Sequence, residues 1–342
     1  MFRALIEKLG RREDLTTDEA AEAMATIMRG EAAPAQIAGL LIGLSMKGER
    51  PAELVGFART MRAHAVTLGT RDDDVFDTCG TGGDSAGTFN ISTAAAVVIA
   101  ACGVRVAKHG NRSVSSRCGS ADVLEALGVN VAAAPSVVER CLNEAGIAFF
   151  FAPTFHPAMR HAGQARRDLG VRTAFNLLGP LTNPAGASRQ IVGVPRPELT
   201  ELLARALLLL GSKRAWVVHG SDGLDELSTT GYTKVSECRD ATVQTFYVHP
   251  ADYALPKNSL DALKGGDANE NARLIREVFD GAPGPARNVV LLNAGAAMFV
   301  AGHVAAVNEG IHRAAEAIDR GQARDVLARL IKVSNSPAGE AA

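Results

Sequence analysis

The stretch Asp77-Thr78-Cys79-Gly80-Thr81-Gly82-Gly83-Asp84, with Thr88, Asn90, Ser92 and Thr93 close behind it, decides the reading of this chain. A β-prone run, Val75–Cys79, ends in three glycines within four positions, and a helical run, Ser92–Cys102, begins shortly after. Glycine allows backbone N–H groups to converge on an anion, and a helix N-terminus adds its dipole and its own N–H groups. A tight turn with a helix cap is the plainer reading of a lone glycine turn. Polar residues on both sides of this one favour a phosphate cradle. The spacing is neither a dinucleotide-binding fingerprint nor a P-loop, because no Gly-Lys-Ser/Thr follows.

The same alternation of short β-prone and helical runs continues downstream. Val104–Lys108, Ile147–Phe151, Gln190–Val194 and Ala215–His219 read as strands, and Ala121–Leu127, Val137–Ala145 and Glu198–Leu210 as helices. Strands spaced by helices predict an α/β domain with a mainly parallel central sheet. Thr233–Val248 reads as a late hairpin or an antiparallel edge, and the chain returns to helix from Asp267. Upstream, to about residue 70, only helical patterns occur. Thr16 and Glu19 form a capping box, Pro34 and Pro51 sit at first-turn positions, and Gly30 and Gly48 follow helix ends. Ile37, Leu40, Leu41 and Leu44, then Leu54, Phe57, Ala58 and Met61, recur at helical spacing.

The expected fold class is therefore α/β: a small helical domain plus a larger α/β domain. The segment His156–Pro184 breaks the rhythm with a basic helix and an irregular Gly-, Pro- and Asn-rich run. It is expected to pack back on the bundle. The helical domain then comprises residues 1–70 completed by about 160–187, and the α/β domain 71–159 with 188–342, with a cleft between them.

Composition narrows the function classes. Of 342 residues, 47% are hydrophobic and 21% charged, with a formal net charge of -1, which is globular and offers no broad basic surface for nucleic acid. Aromatic content of 5% disfavours a base-stacking platform. The five cysteines, Cys79, Cys102, Cys118, Cys141 and Cys238, form no metal-ligand spacing, and a reduced, cytoplasmic setting is expected. The apolar runs are too short to span a bilayer, so no membrane partner is expected.

Three further segments carry chemistry. Lys108-His109-Gly110-Asn111-Arg112-Ser113-Val114-Ser115-Ser116-Arg117-Cys118-Gly119-Ser120 lies between a strand and a helix, at the sheet edge where open α/β folds bind ligands. Its cations and hydroxyls suit a polyphosphate, and the neighbouring glycine loop tips it away from a merely solvated basic loop. Asp222-Gly223-Leu224-Asp225-Glu226 places carboxylates at a strand's end, the donors Mg²⁺ prefers; alone, an exposed turn is an equal reading. Finally, His156 is followed by Arg166, whose guanidinium fork can pair with a carboxylate, with Arg160, Arg167 and Arg172 as unranked competitors.

In order and spacing, Cys79–Asp84, Thr88–Thr93, Lys108–Gly128, Phe151–Met159, Arg166–Pro184 and Gly220–Ser228 resemble the anthranilate phosphoribosyltransferases. The resemblance implies a nucleoside phosphorylase/phosphoribosyltransferase-like fold and a homodimer through the helical domain. It implies transfer of a phosphoribosyl group from 5-phosphoribosyl-1-pyrophosphate (PRPP) to the amine of anthranilate, with Mg²⁺ required. It assigns Gly80, Gly83, Asp84, Thr88, Asn90, Ile91, Ser92, Thr93, Lys108, His109, Gly110, Asn111, Arg112, Ser115, Ser116 and Ser120 to PRPP. Ser92, Asp225 and Glu226 fall to the metal, and Gly80, Asn111, His156 and Arg166 to anthranilate. Lys108, Asp225 and Glu226 become the catalytic set. A pyrimidine nucleoside phosphorylase shares the fold, but Asp225-Glu226 speaks against it. A nucleic-acid-binding homologue is disfavoured by the charge balance.

Overall fold

The computed structural model describes residues 1–69, 74–113 and 117–337. Four helices open the chain: α1 (Phe2–Gly10), α2 (Thr17–Met28), α3 (Pro34–Lys47) and α4 (Pro51–Ala63). The Glu19 N–H donates to Thr16 Oγ1 (3.2 Å) and the Thr16 N–H donates to Glu19 Oε2 (2.7 Å), closing the capping box that starts α2. Pro34 and Pro51 occupy first turns, and Gly48 ends α3 at φ 89°.

The α/β part follows as β1 (Phe76–Gly80), α5 (Ile91–Ala101), β2 (Val106–Gly110), α6 (Ser120–Leu127), α7 (Pro135–Ala145) and β3 (Ile147–Phe151). The interrupting segment forms α8 (Ala152–Phe155), α9 (Arg160–Leu169) and α10 (Ala174–Leu178). Then come β4 (Arg189–Gly193), α11 (Glu198–Leu209), β5 (Arg214–Gly220), β6 (Thr233–Arg239) and β7 (Thr242–Val248). Helices α12 (Ala268–Phe279), α13 (Pro285–Ala301), α14 (Val307–Asp319) and α15 (Gln322–Ser334) close the chain.

The strand expected at Val104–Lys108 begins two residues later, at Val106. Val104 is used instead to end α5. Gly103 takes φ 91°, its N–H bonds Ala100 O (3.0 Å), and the Val104 N–H bonds Ile99 O (3.1 Å). This is the paired closure that leaves a hydrophobic residue just past a left-handed glycine. Thr233–Val248 resolves as the hairpin β6–β7 on the sheet edge.

The sheet runs β3-β2-β1-β4-β5-β6-β7, parallel through β5 and antiparallel beyond it. Chain direction across the sheet reverses between β1 and β4, which creates a crevice at their carboxyl ends. Alternate strand residues feed different cores. Ile191, Trp216 and Val218 pack with α5 and α13, whereas Val192, Ala215 and Val217 pack with α11 and the bundle. Ala162, Ala165, Phe175 and Leu178 of the interrupting segment share that second core with α1–α4. The boundary expected near residues 70–71 lies outside the described residues. Among them, no helix is long and apolar enough to cross a membrane.

Candidate active site

The switch between β1 and β4 places two glycines side by side. Gly80 and Gly193 are register partners at the ends of these strands, and the Thr81 N–H donates to Gly193 O (2.9 Å). Asp225 lies over both. A Cβ on Gly80 would come 2.9 Å from Asp225 Oδ2, and one on Gly193 would overlap the Asp225 carbonyl. Glycine at both strand ends is thus what lets the carboxylate loop reach the glycine-rich loop. Gly193 was not singled out by sequence reasoning, since one glycine closing a strand has no distinguishing pattern.

Beyond Gly80 the chain turns through Gly82, Gly83, Ser85 and Gly87, all at positive φ (62°, 87°, 57° and 66°). Asp84 Oδ1 accepts from the Ala86 N–H (3.3 Å), and Thr88 pairs with Lys264 in an isolated bridge. Asn90 precedes Ile91, the first residue of α5. Its Nδ2 donates to Cys118 O (3.2 Å) and its Oδ1 accepts from Asn271 Nδ2 (3.0 Å), so its amide ties its own loop to the Cys118 loop and to α12. The expectation of free N–H groups at the start of α5 needs one correction. The Ser92 N–H is already taken by Glu226 Oε1 (3.1 Å), because the acidic loop sits over the helix start.

The five-residue acidic stretch divides its work. Asp222 holds the turn, accepting from Ser228 Oγ (2.8 Å) and Thr230 Oγ1 (2.6 Å). Asp225 and Glu226 face the cradle. Asn293 of α13 fixes the next residue at both ends, accepting from the Leu227 N–H (3.1 Å) and donating to Leu227 O (2.8 Å). Burial, then the charges of Asp84 and Glu226, raises the Asp225 carboxyl well above its usual range. Burial lifts Glu226 to about 7, with Lys108 opposing.

Lys108, on β2, is buried. Its ammonium donates to the Thr78 carbonyl, to Thr78 Oγ1 (3.3 Å) and to Ser92 Oγ (3.4 Å). Burial lowers its pKa, while Asp77 and the site's carboxylates push the other way. Asp77, also buried, accepts from the His109 N–H (3.1 Å) and from Asn183 Nδ2 (2.8 Å). Thr93 is buried, and its Oγ1 has no partner among the described residues.

The loop after β2 is partly reassigned. Gly110 is needed for close packing, since a Cβ there would strike Ser120 Oγ, and Asn111 O accepts from Ser120 Oγ (3.4 Å). Arg112 is bound by Asp122 (3.2 Å) and Glu125 (2.7 Å) of α6, an engagement that the count of loop cations did not foresee. Ser115 and Ser116 lie outside the described residues.

On the other wall, the His109 and His156 rings lie 5.2 Å apart, both buried. Burial holds them neutral, His109 at about 3 and His156 at about 4. His109 Nδ1 bonds Gly179 O (3.1 Å), and both Nε2 atoms lack a partner among the described residues. Arg166 lies over the Phe175 ring at 5.5 Å, and no carboxylate pairs with it among the described residues. Arg172 does something else: its Nη2 donates to Thr81 O (2.9 Å) on the glycine loop.

The donor set fits Mg²⁺. Among the described residues no three His, Cys, Asp or Glu side chains close into a metal cage. Mg²⁺ rarely uses one; it keeps water and shares substrate phosphate oxygens with one or two carboxylates. Burial, with the neighbouring acidic groups, disfavours ionisation of Asp225 and Glu226, and a divalent cation would favour their ionised forms.

A mainly parallel sheet with a glycine cradle, a buried lysine and paired carboxylates at its switch point is the architecture of an enzyme acting on a phosphorylated substrate. The helical bundle domain of the glycosyl transferase family matches residues 3–65, and that family's a/b domain matches residues 72–324. The anthranilate phosphoribosyltransferase of Moorella thermoacetica is 53% identical, covering 97% of this chain and 98% of its own. That of Symbiobacterium thermophilum is 50% identical with both chains fully covered. Among solved structures, the Thermus thermophilus anthranilate phosphoribosyltransferase superposes with TM-score 0.92 at 45% identity, covering 97% of this chain and 99% of that one. The Saccharomyces cerevisiae enzyme in complex with PRPP and Mg does so with TM-score 0.88 at 27% identity, covering 97% of each. The chain belongs to the glycosyl transferase family and, within it, to the anthranilate phosphoribosyltransferases.

Proposed function

We infer that this chain transfers the phosphoribosyl group of PRPP to the amine of anthranilate, a step of tryptophan biosynthesis. The observation that carries this reading is the meeting of the Gly80–Asp84 cradle, Lys108 and Asp225-Glu226 at the β1/β4 crevice. In the reaction the amine nitrogen forms a bond to C1 of the ribose, the C1–O bond breaks, and pyrophosphate leaves with the electron pair. The amine then gives up one proton.

The residues act by position and charge. The cradle, Asn90, Ser92, Thr93, Asn111 and Ser120 hold the donor, and Lys108 places a buried cation where negative charge grows on the leaving group. Asp225 and Glu226 hold Mg²⁺ together with Ser92, and the ion, when bound, stabilises the departing pyrophosphate. His156 and Arg166 line the acceptor's side, Arg166 facing its carboxylate. Its lack of a protein carboxylate supports that role. An aromatic amine is neutral at pH 7, so no strong base is assigned, and the neutral histidines agree with that.

The proposal extends to a cytoplasmic homodimer joined through the helical domain, with Met46 on α3 78% exposed. The completion of 1–70 by 160–187 is part of the same reading, supported by a core they share with each other and also with α11. Anthranilate fluorescence tests the activity: it should fall only when PRPP and Mg²⁺ are both present. Loss without PRPP, or none with both, would overturn the assignment.

A further inference from the structure

We propose that Arg172 binds the donor's pyrophosphate, reaching it from the helical side of the cleft; this rests on the functional reading above. Arg172 lies between α9 and α10, a connection flanked by Leu169 and Ala174, which pack with the bundle. Its guanidinium nevertheless crosses to the α/β domain and donates to Thr81 O (2.9 Å). A Cβ on Gly83 would run into the guanidinium, so the group lies directly on the loop. Asp84 and Asp225 are the acidic groups it faces.

Thr81 O is its only hydrogen-bond acceptor among the described residues, and no carboxylate forms an ion pair with it. The rest of its N–H donors remain for a ligand. Two of the nearby cations are engaged elsewhere: Arg112 is tied to Asp122 and Glu125, and Arg166 lies over Phe175. Lys108 reaches the leaving group from the α/β side, so Arg172 would meet it from the opposite wall. A planar guanidinium fork matches two phosphate oxygens, and its charge opposes the negative charge released as the C1–O bond breaks. Gly83 then has a second reason to lack a side chain: any Cβ would expel Arg172.

The experiment is calorimetric titration of Mg²⁺-pyrophosphate into the wild-type chain, Arg172→Gln and Arg172→Lys, with melting temperatures and KM for both substrates alongside. Arg172→Gln should weaken pyrophosphate binding about tenfold or more, the loss expected of a charged hydrogen-bonded contact. It should raise the KM for PRPP and leave that for anthranilate and the melting temperature unchanged. Arg172→Lys, which keeps the charge without the fork, should fall between. Unchanged pyrophosphate binding in Arg172→Gln would overturn the proposal, as would a rise confined to the anthranilate KM. Should Arg172→Gln not fold, Arg172→Lys decides by the same readings. Failure of the wild-type chain to bind Mg²⁺-pyrophosphate would overturn the functional reading, and this proposal with it.

Discussion

The Ser92 N–H donates to Glu226 Oε1 across 3.1 Å, joining the first turn of α5 to the loop after β5. A helix-start N–H that would otherwise meet a ligand is used to aim a carboxylate. Glu226→Ala removes both the proposed metal ligand and this tie. Turnover at saturating Mg²⁺ should fall about 100-fold or more, the scale of losing one preorganised electrostatic group. Turnover near that of the wild type would show the metal assignment to be wrong.

Gly193 supports Asp225 from beneath, leaving no room for a side chain. Gly193→Ala should cost about 1–3 kcal/mol of stability through overpacking. Because the atom displaced is the Asp225 carbonyl, it should also raise the Mg²⁺ concentration needed for half-maximal rate. An Mg²⁺ titration of the rate that overlays the wild type would separate Gly193 from the site.

In the bundle, Glu53 is fully buried. It accepts from the Leu15 N–H (2.9 Å), the Arg50 N–H (2.8 Å) and the ammonium of Lys47 (3.0 Å), itself almost wholly covered. Breaking a buried pair on one side leaves the other charge uncompensated, at about 3–5 kcal/mol. Lys47→Met should therefore destabilise strongly in urea unfolding. Adding Glu53→Gln should recover part of the loss. A double variant less stable than Lys47→Met would contradict this account.

The buried histidines set a pH dependence of stability. Each folded-state pKa lies below the ordinary 6.5, at about 3 for His109 and about 4 for His156. The unfolded chain thus binds protons that the folded chain refuses. Stability from keeping these rings neutral is fully present above about pH 6.5 and is lost progressively as the pH falls toward those folded values, by up to about 1.4 kcal/mol per unit per histidine. Urea unfolding of His156→Asn should show a shallower decline between neutrality and about pH 5 than the wild type. Equal slopes would mean that His156 takes up its proton without unfolding.

Much of this was legible in the sequence, for identifiable reasons. Caps and first-turn prolines act locally, so Thr16–Glu19, Pro34 and Pro51 mark their helices directly. Ile147–Phe151 was legible because a short apolar run bounded by Gly146 has few other uses. Val104 was misread because strand propensity and the hydrophobic residue after a left-handed glycine look alike in one dimension. Non-local tasks were hidden: Asn271 and Asn293 brace site loops from distant helices, and Gly193 makes room for Asp225. Arg172 was seen only as one of several arginines near a carboxylate site, since nothing in its neighbours shows which way it reaches.

The central claim is glycosyl transfer with pyrophosphate as the leaving group. Phosphorus NMR of the purified chain with PRPP, Mg²⁺ and anthranilate tests it most directly. The account predicts one pyrophosphate released for each anthranilate consumed, with the 5-phosphate retained on the product. Release of orthophosphate, or phosphorus transferred to anthranilate without its ribose, would contradict it.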